Sequence, residues 1–515
     1  MMRLRAGGLA PGEQAMLLCP TRSLSMVVSA FFASAAFLLL TSSSGFAASP
    51  TYLQLKLDPK YGDSKTLSNL KKAKQDVITG KITLSEGKES LDQFYAEYVL
   101  RAMTRHANLG RVADMRLGIL KDLARTRSPD VRTYVLGKVF NKQIWARINA
   151  KNLHPAVRYN LLLLLGQLNE REAELRGSNK QPPIPYLKVL KFLILAYNDK
   201  DQIDAVRIAA LLGMRRHVEL RVQMTGSAAI GADDRENVAA LALDLAKAQE
   251  PPAGRSASGH DWMRRRAVEI LGRLASPGKE NEIETALTEI IANAENSIAL
   301  RCDTAHAIGR INLEKSDEKA ATLAKHVGLV AVAACESEFA RLDEMFNEAI
   351  DGRGITEAFQ PRGPRGSRGA NFLMPDGLYG GLDDEEDKRR VKIEILDERT
   401  LPTRRKLIHQ LQCVKEGLTG SSRDDGIMRL ASAELQTPIQ SMTGQIDEIV
   451  KVLSEPETIL EDLADQLQKE TLKLSSMVAV GITGATEKPV SPEDTEESSD
   501  LEELEADDTF DELDF

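Results

Sequence analysis

Five times between residues 131 and 301 the chain places a hydrophobic residue directly before an arginine at the head of an apolar run: Val131-Arg132, Val157-Arg158, Val206-Arg207, Met263-Arg264 and Leu300-Arg301. Four of the runs read "VRYNLLLLLGQL", "VRIAALLGM", "MRRRAVEILGRL" and "LRCDTAHAIGRI", and in three units a glycine falls nine positions after the hydrophobic residue, at Gly166, Gly272 and Gly309. A register kept in this way indicates one structural unit copied along the chain. The upstream segments "VADMRLGILKDLARTR", "IPYLKVLKFLILAYNDKD", "RENVAALALDLAKAQE" and "ENEIETALTEIIANAEN" carry apolar residues at three- and four-residue spacing, the period of a helix with one buried face. Each unit therefore reads as helix, polar turn, helix. One such hairpin cannot bury its own apolar stripe, so neighbouring hairpins must stack in a row.

Composition agrees with helices. Of 515 residues 42% are hydrophobic but only 5% aromatic, and a chain rich in Leu, Ala and Arg loses little side-chain freedom in helical form. Pro129 and Pro155 suit a first helical turn, where a missing N–H costs nothing. Small residues at Gly166, Ala209, Ala267 and Ala305 allow adjacent helices to approach closely. The expected fold is all-α: a capping region over 48–100, an irregular helical-hairpin solenoid over 101–350, a Gly/Pro-rich charged linker over 351–390, a small helical bundle over 391–480, and a disordered acidic tail over 481–515. Within the bundle Leu460, Leu467 and Leu474 recur at seven-residue spacing with Leu463 between them, too short a pattern for an extended coiled coil.

The paired pattern resembles the HEAT-repeat family of α-solenoids over roughly residues 101–350. That resemblance implies a second helix opening Pro-x-Val-Arg, and an acidic turn residue pairing with the arginine to form a ladder between repeats. All five arginines are present, and they are expected to be structural. The ladder acid stands six residues before the arginine only at Asp201 (for Arg207) and Glu295 (for Arg301); Thr126, Asn152 and Ser258 occupy the other places. Intervals of 26, 49, 57 and 37 residues between successive pairs make the array irregular.

At the N-terminus Arg3, Arg5 and Arg22 precede "MVVSAFFASAAFLLL", with small residues at Gly45 and Ala47. Residues 1–47 thus read as an export signal cleaved after Ala47 or Ala48, or as a retained membrane anchor. They carry three Arg and one Glu, so removing them takes the net charge from −9 to −11. An acidic chain of this kind is not expected to bind nucleic acid. The remaining cysteines, Cys302, Cys335 and Cys413, are too sparse for a disulfide framework and read as buried thiols.

No catalytic motif emerges. Cys302 and His306, four apart on one helix, offer a metal-pair spacing with no second pair nearby. "GRSASGHD" groups Ser256, Ser258, His260 and Asp261 in a loop after Pro251 and Pro252, which is a poor setting for a rigid triad. Arg362, Arg365 and Arg368 in "PRGPRGSRGAN" suit a solvated linker or an acidic partner. The last 29 residues hold fourteen acids against one lysine, punctuated by Leu501, Leu504, Phe510, Leu513 and Phe515, a composition that lacks the apolar area to order itself. The expected function is that of an exported, non-enzymatic scaffold for a protein partner as yet unknown, bacterial in origin, with no cofactor. The alternatives are an enzyme or enzyme subunit whose site lies between the repeat array and the C-terminal helices, or a membrane-anchored structural component of the envelope.

Overall fold

The computed structural model of the chain describes residues 51–174, 181–222, 224–350, 385–420, 425–455 and 460–481. The leader-like segment 1–47, residues 351–384 of the expected linker and residues 482–515 of the expected tail lie outside the described residues. The chain divides into two units, Met1–Tyr52 and Leu53–Phe515. Among its described residues the second unit is all-α apart from one short hairpin.

Several helices begin where a capping side chain stands. Asp63 accepts from the Thr66 N–H (2.7 Å) to open α1 (Ser64–Ile78), and Thr83 with Glu86 forms a capping box at the head of α2 (Leu84–Asp92). α2 runs on through a π-helical stretch, Gln93–Val99. α3 (Val112–Ala124) follows, and then α4 (Pro129–Tyr134), whose N-cap Ser128 stands before Pro129; a second π-helical stretch, Val135–Phe140, leads into α5 (Asn141–Asn149). The two wide turns meet through Tyr95 and Phe140, whose rings pack edge to face 5.6 Å apart. α6 (Pro155–Gln167) is capped by His154, whose Nδ1 accepts from the Ala156 N–H at 3.1 Å.

Between α6 and α7 the chain forms a two-stranded antiparallel hairpin, β1 (Asn169–Arg171) with β2 (Ile184–Pro185). The segment "IPYLKVLKF" reads as helix by its spacing, yet the helix begins only at Lys188. Pro182, Pro183 and Pro185 supply no N–H, and each pushes the residue before it toward an extended conformation. The remaining helices are α7 (Lys188–Asn198), α8 (Asp204–Arg221), α9 (Ala232–Lys247), α10 (Ala257–Leu274), α11 (Glu282–Ala292), α12 (Ile298–Arg310), α13 (Asp317–Ile350), α14 (Glu385–Thr419), α15 (Ala433–Ser454) and α16 (Leu460–Gly481). Among the described residues no helix is long and apolar enough to cross a membrane.

The helices pack in chain order. α6, α8, α10, α12 and α14 each lie against the next, and α7, α9, α11 and α13 do likewise among themselves. Close crossings explain the recurring glycines. A Cβ on Gly166 would stand 2.9 Å from the Cα of Gly213, one on Gly272 2.7 Å from the Cα of Ala307, and one on Gly309 2.8 Å from the Cα of Gly417. The last of these joins α14 to α12, while α13 joins α11. The α13–α14 pair therefore continues both rows, with residues 351–384 inserted between its two helices. α15 and α16 pack against this pair, and Leu463, Leu467 and Leu474 are fully buried there.

Candidate functional site

The five arginines share one task. Arg132 donates to the Leu123 carbonyl (2.5 Å), Arg158 to Ile148 (2.9 Å), Arg207 to Asp199 (3.0 Å), Arg264 to Ala246 (3.1 Å) and Arg301 to Ile291 (2.9 Å). Each acceptor lies in the last turn or at the C-cap of the preceding helix, where carbonyls have no helical partner. The hydrophobic residue beside each arginine is buried in the core, so the pair ties the second helix to the end of the first.

The acidic ladder takes another form. Asp201 meets Lys151 at 2.5 Å rather than Arg207, and the Glu295 N–H donates to Asn293 Oδ1; no ion pair joins Glu295 to Arg301 among the described residues. The physical reason is direction: an arginine capping carbonyls points inward, whereas Asp201 is 75% exposed. Besides this Lys151–Asp201 pair, rungs between units are made by Arg158 with Gln202, by Arg255 with Asp204 (2.7 Å) and by Arg265 with Asp303 (2.7 Å).

A cavity of about 340 Å³ lies between α10, α12 and α14, and it gathers Asp303, His306, His409, Cys413 and Glu416. Ligand atoms of Asp303, His409 and Cys413 lie within 4.8 Å of one another, and His306 Nε2 stands 3.1 Å from Glu416 Oε2. The surrounding charge opposes a cation here. Asp303 Oδ2 accepts from Arg265 Nε and lies 3.6 Å from the guanidinium of Arg266. Arg266 and Arg215 both reach Glu269, at 2.7 and 2.8 Å. Burial pushes the Cys413 thiol up to about 12, and the carboxylates of Asp303 and Glu416 add to the shift, whereas a nucleophilic cysteine requires the reverse. Burial raises the Cys302 thiol as well, and takes Cys335 up to about 12. All three are free and buried. At neutral pH iodoacetamide should leave Cys302, Cys335 and Cys413 unmodified in the native chain over a time that fully alkylates them in urea; rapid native labelling of Cys413 would show an activated thiol.

The "GRSASGHD" residues are likewise occupied by structure. Ser256 Oγ caps α10 through the Gly259 N–H (3.1 Å), His260 Nε2 bonds the Ala248 carbonyl (2.7 Å), and Asp261 accepts from Ser297 Oγ (2.9 Å).

An open groove of about 1,120 Å³ lies between the α3–α4 turn, the β hairpin and the start of α7. Its floor includes Leu136, Tyr186 and Leu187, and its rim carries Arg127, Lys188 and Lys191 as well as Glu170 and Glu174. The hairpin that walls it is pinned from below. Arg221, fully buried, donates from Nε to the Pro185 carbonyl (2.9 Å) and from its terminal nitrogens to the Pro185 and Ala228 carbonyls, and it pairs with Glu170 at 3.3 Å. Arg216 holds the Gly166 carbonyl (3.2 Å) and the Asn169 side chain (2.5 Å). Of the groove lining, sequence reasoning singled out Thr126, Pro129 and Arg132, all from the repeat pattern; the rest converge from separate elements with no shared motif. No family model matches the chain, nor does any curated protein or solved structure.

Proposed function

We propose that the chain is an exported, non-enzymatic interaction scaffold, a HEAT-like α-solenoid whose groove between the α3–α4 turn and the β hairpin seats an extended segment of a protein partner. The observation that carries this reading is the groove itself: open, floored by apolar side chains, rimmed by charges of both signs, and larger than the 300–1,000 Å³ typical of small-molecule sites. Leu136, Tyr186 and Leu187 would take apolar side chains of the segment, and the rim charges would set its register. Arg132 already spends its charge on Glu172 at 2.8 Å, which leaves Arg127, Arg171, Lys188 and Lys191 as the basic contacts. An enzymatic reading would rest on Asp303, His409 and Cys413, and the neighbouring guanidiniums together with the raised thiol weigh against it.

Site-specific photocrosslinking in the native host tests the proposal. A benzophenone side chain at Thr133 or Lys188, both exposed on the groove, should give a stoichiometric adduct with one protein, and the same group at exposed Leu472 on α16 should not. With the probe at Thr133, Lys188→Glu with Lys191→Glu should abolish the adduct. Equal labelling from position 472, or none from the groove, overturns the reading.

A further inference from the structure

A cavity of about 440 Å³, which shares Gly272, Arg273 and Arg310 with the one beside Asp303, opens where α8, α9, α10, α12 and the segment around residues 425–429 converge. Four arginines line it, Arg235, Arg273, Arg310 and Arg429, against two acids, Glu219 and Asp425. Among the described residues Arg273 is paired there, with Glu219 at 2.9 Å. Arg429 donates to the Ile311 carbonyl (2.6 Å) and to Asn312 Oδ1 (3.5 Å), both neutral acceptors. Arg235 and Arg310 form no ion pair among the described residues, and Asp425 has a bonding partner of its own. The Nε atoms of Arg235 and Arg429 are buried without an acceptor.

Helix dipoles account for part of this arrangement and not the rest. Arg273 and Arg310 sit in the last turns of α10 and α12, where a cation is favoured. Arg235 sits near the start of α9, at the end that disfavours a cation, and Arg429 lies on a short 3-10 turn, Ile427–Leu430. That turn is held in place by the Gly426 N–H, which donates to the Gly309 carbonyl at 2.6 Å. Guanidiniums gathered on one concave wall repel each other until an anion enters. Burial lowers the Arg273 pKa, and the nearby charges of Arg215 and Arg310 lower it further.

We propose that this cavity binds a phosphate monoester, with the phosphate held by the forked donors of Arg235, Arg310 and Arg429 and the organic part filling the remaining volume. The guanidinium fork matches a phosphate edge in two parallel hydrogen bonds, and several forks suit a dianion better than a single carboxylate. The volume lies within the range of sites for small organic ligands. The inference is independent of the groove, from which this cavity shares no lining residue.

Titration calorimetry on the full-length protein tests it with glucose 6-phosphate, inorganic phosphate and, at matched ionic strength, sodium chloride. The expected result is saturable binding of the ester, tighter than that of free phosphate, and no saturable heat with chloride. Arg310→Gln and Arg235→Gln should each weaken ester binding about tenfold, the loss of one charge-assisted contact. The ligand-free melting temperature of Arg235→Gln should equal or exceed that of the parent, since Arg235 has no ion pair to lose among the described residues and stands at the helix end that disfavours a cation; a purely structural role would lower it. Absence of saturable binding, equal binding by both variants, or ester binding no tighter than free phosphate overturns the proposal. A further full-length variant carries amides in place of the acids of residues 493–515. Ester binding seen only in that variant would show that the chain's own acidic tail fills the cavity, and would overturn it as well.

Discussion

Replacing Arg221 by methionine should cost about 3–5 kcal/mol of stability, the loss expected when one partner of a buried, fully hydrogen-bonded charge is removed. Arg221 has no exposed surface, and its guanidinium is spent on the carbonyls of Pro185 and Ala228 with Glu170 beyond. Methionine keeps much of the stem's volume, so the dominant effect is two main-chain carbonyls left without donors rather than a cavity. Arg221→Lys should be destabilised as well, because a point charge with rotating donors cannot reproduce a planar fork across two carbonyls. Two measurements check this: the urea midpoint, and amide exchange over residues 168–186. The midpoint should fall in both variants, and the amides of the hairpin should lose protection ahead of those in α10 and α12. The groove-directed adduct should fall with the hairpin, since β1 and the residues after it form one wall. A parental midpoint in Arg221→Met would show that the hairpin stands without its buried anchor.

Much of the helical pairing was legible because it rests on short-range chemistry. Ser128 and Ser297 cap their helices three residues before Val131 and Leu300, Pro129 and Pro155 sit in first turns, and the hydrophobic residue of each pair enters the core. What the arginines bind was harder to read. Their acceptors are backbone carbonyls of Leu123, Ile148, Asp199, Ala246 and Ile291, and a carbonyl leaves no mark in a sequence, whereas an acid at Asp201 or Glu295 does. The continuation of the rows into α13 and α14 was hidden for a related reason: the contact between Gly309 and Gly417 spans the insertion at 351–384, and composition alone marks that segment as a boundary. The arginine cavity did leave a faint trace. Arg273 and Arg310 each follow one of the recurring glycines, in "LGRL" and "IGRI"; a glycine on a helix crossing places the next residue at the edge of that crossing, where a cleft can form.

The same glycine substitution should have opposite signs at two places in this chain. At Gly118, exposed within α3, an added Cβ meets nothing within 4 Å, so Gly118→Ala should stabilise by about 0.5–1 kcal/mol through reduced freedom of the unfolded chain. At Gly309 the added methyl would fall on the backbone of Gly417, and the facing position offers no relief, since a Cβ at Gly417 would stand 2.7 Å from the carbonyl carbon of Ala305. The clash is with main chain on both sides, so no rotamer change can absorb it, and α14 must move off α12. Gly309→Ala should therefore destabilise by about 1–3 kcal/mol, and Gly309→Val by more, since a branched side chain forces a wider separation. In a row where each helix pair is stabilised chiefly by its neighbours, such a wedge acts locally. Unfolding of Gly309→Val should split into two transitions, an earlier one in which amides of residues 400–480 lose protection and a later one for residues 155–290. A single transition at the parental midpoint would mean that the α12–α14 crossing is not a close one. A single transition shifted down as a whole would mean that the rows unfold as one body, with the crossing at Gly309 stabilising every pair in them.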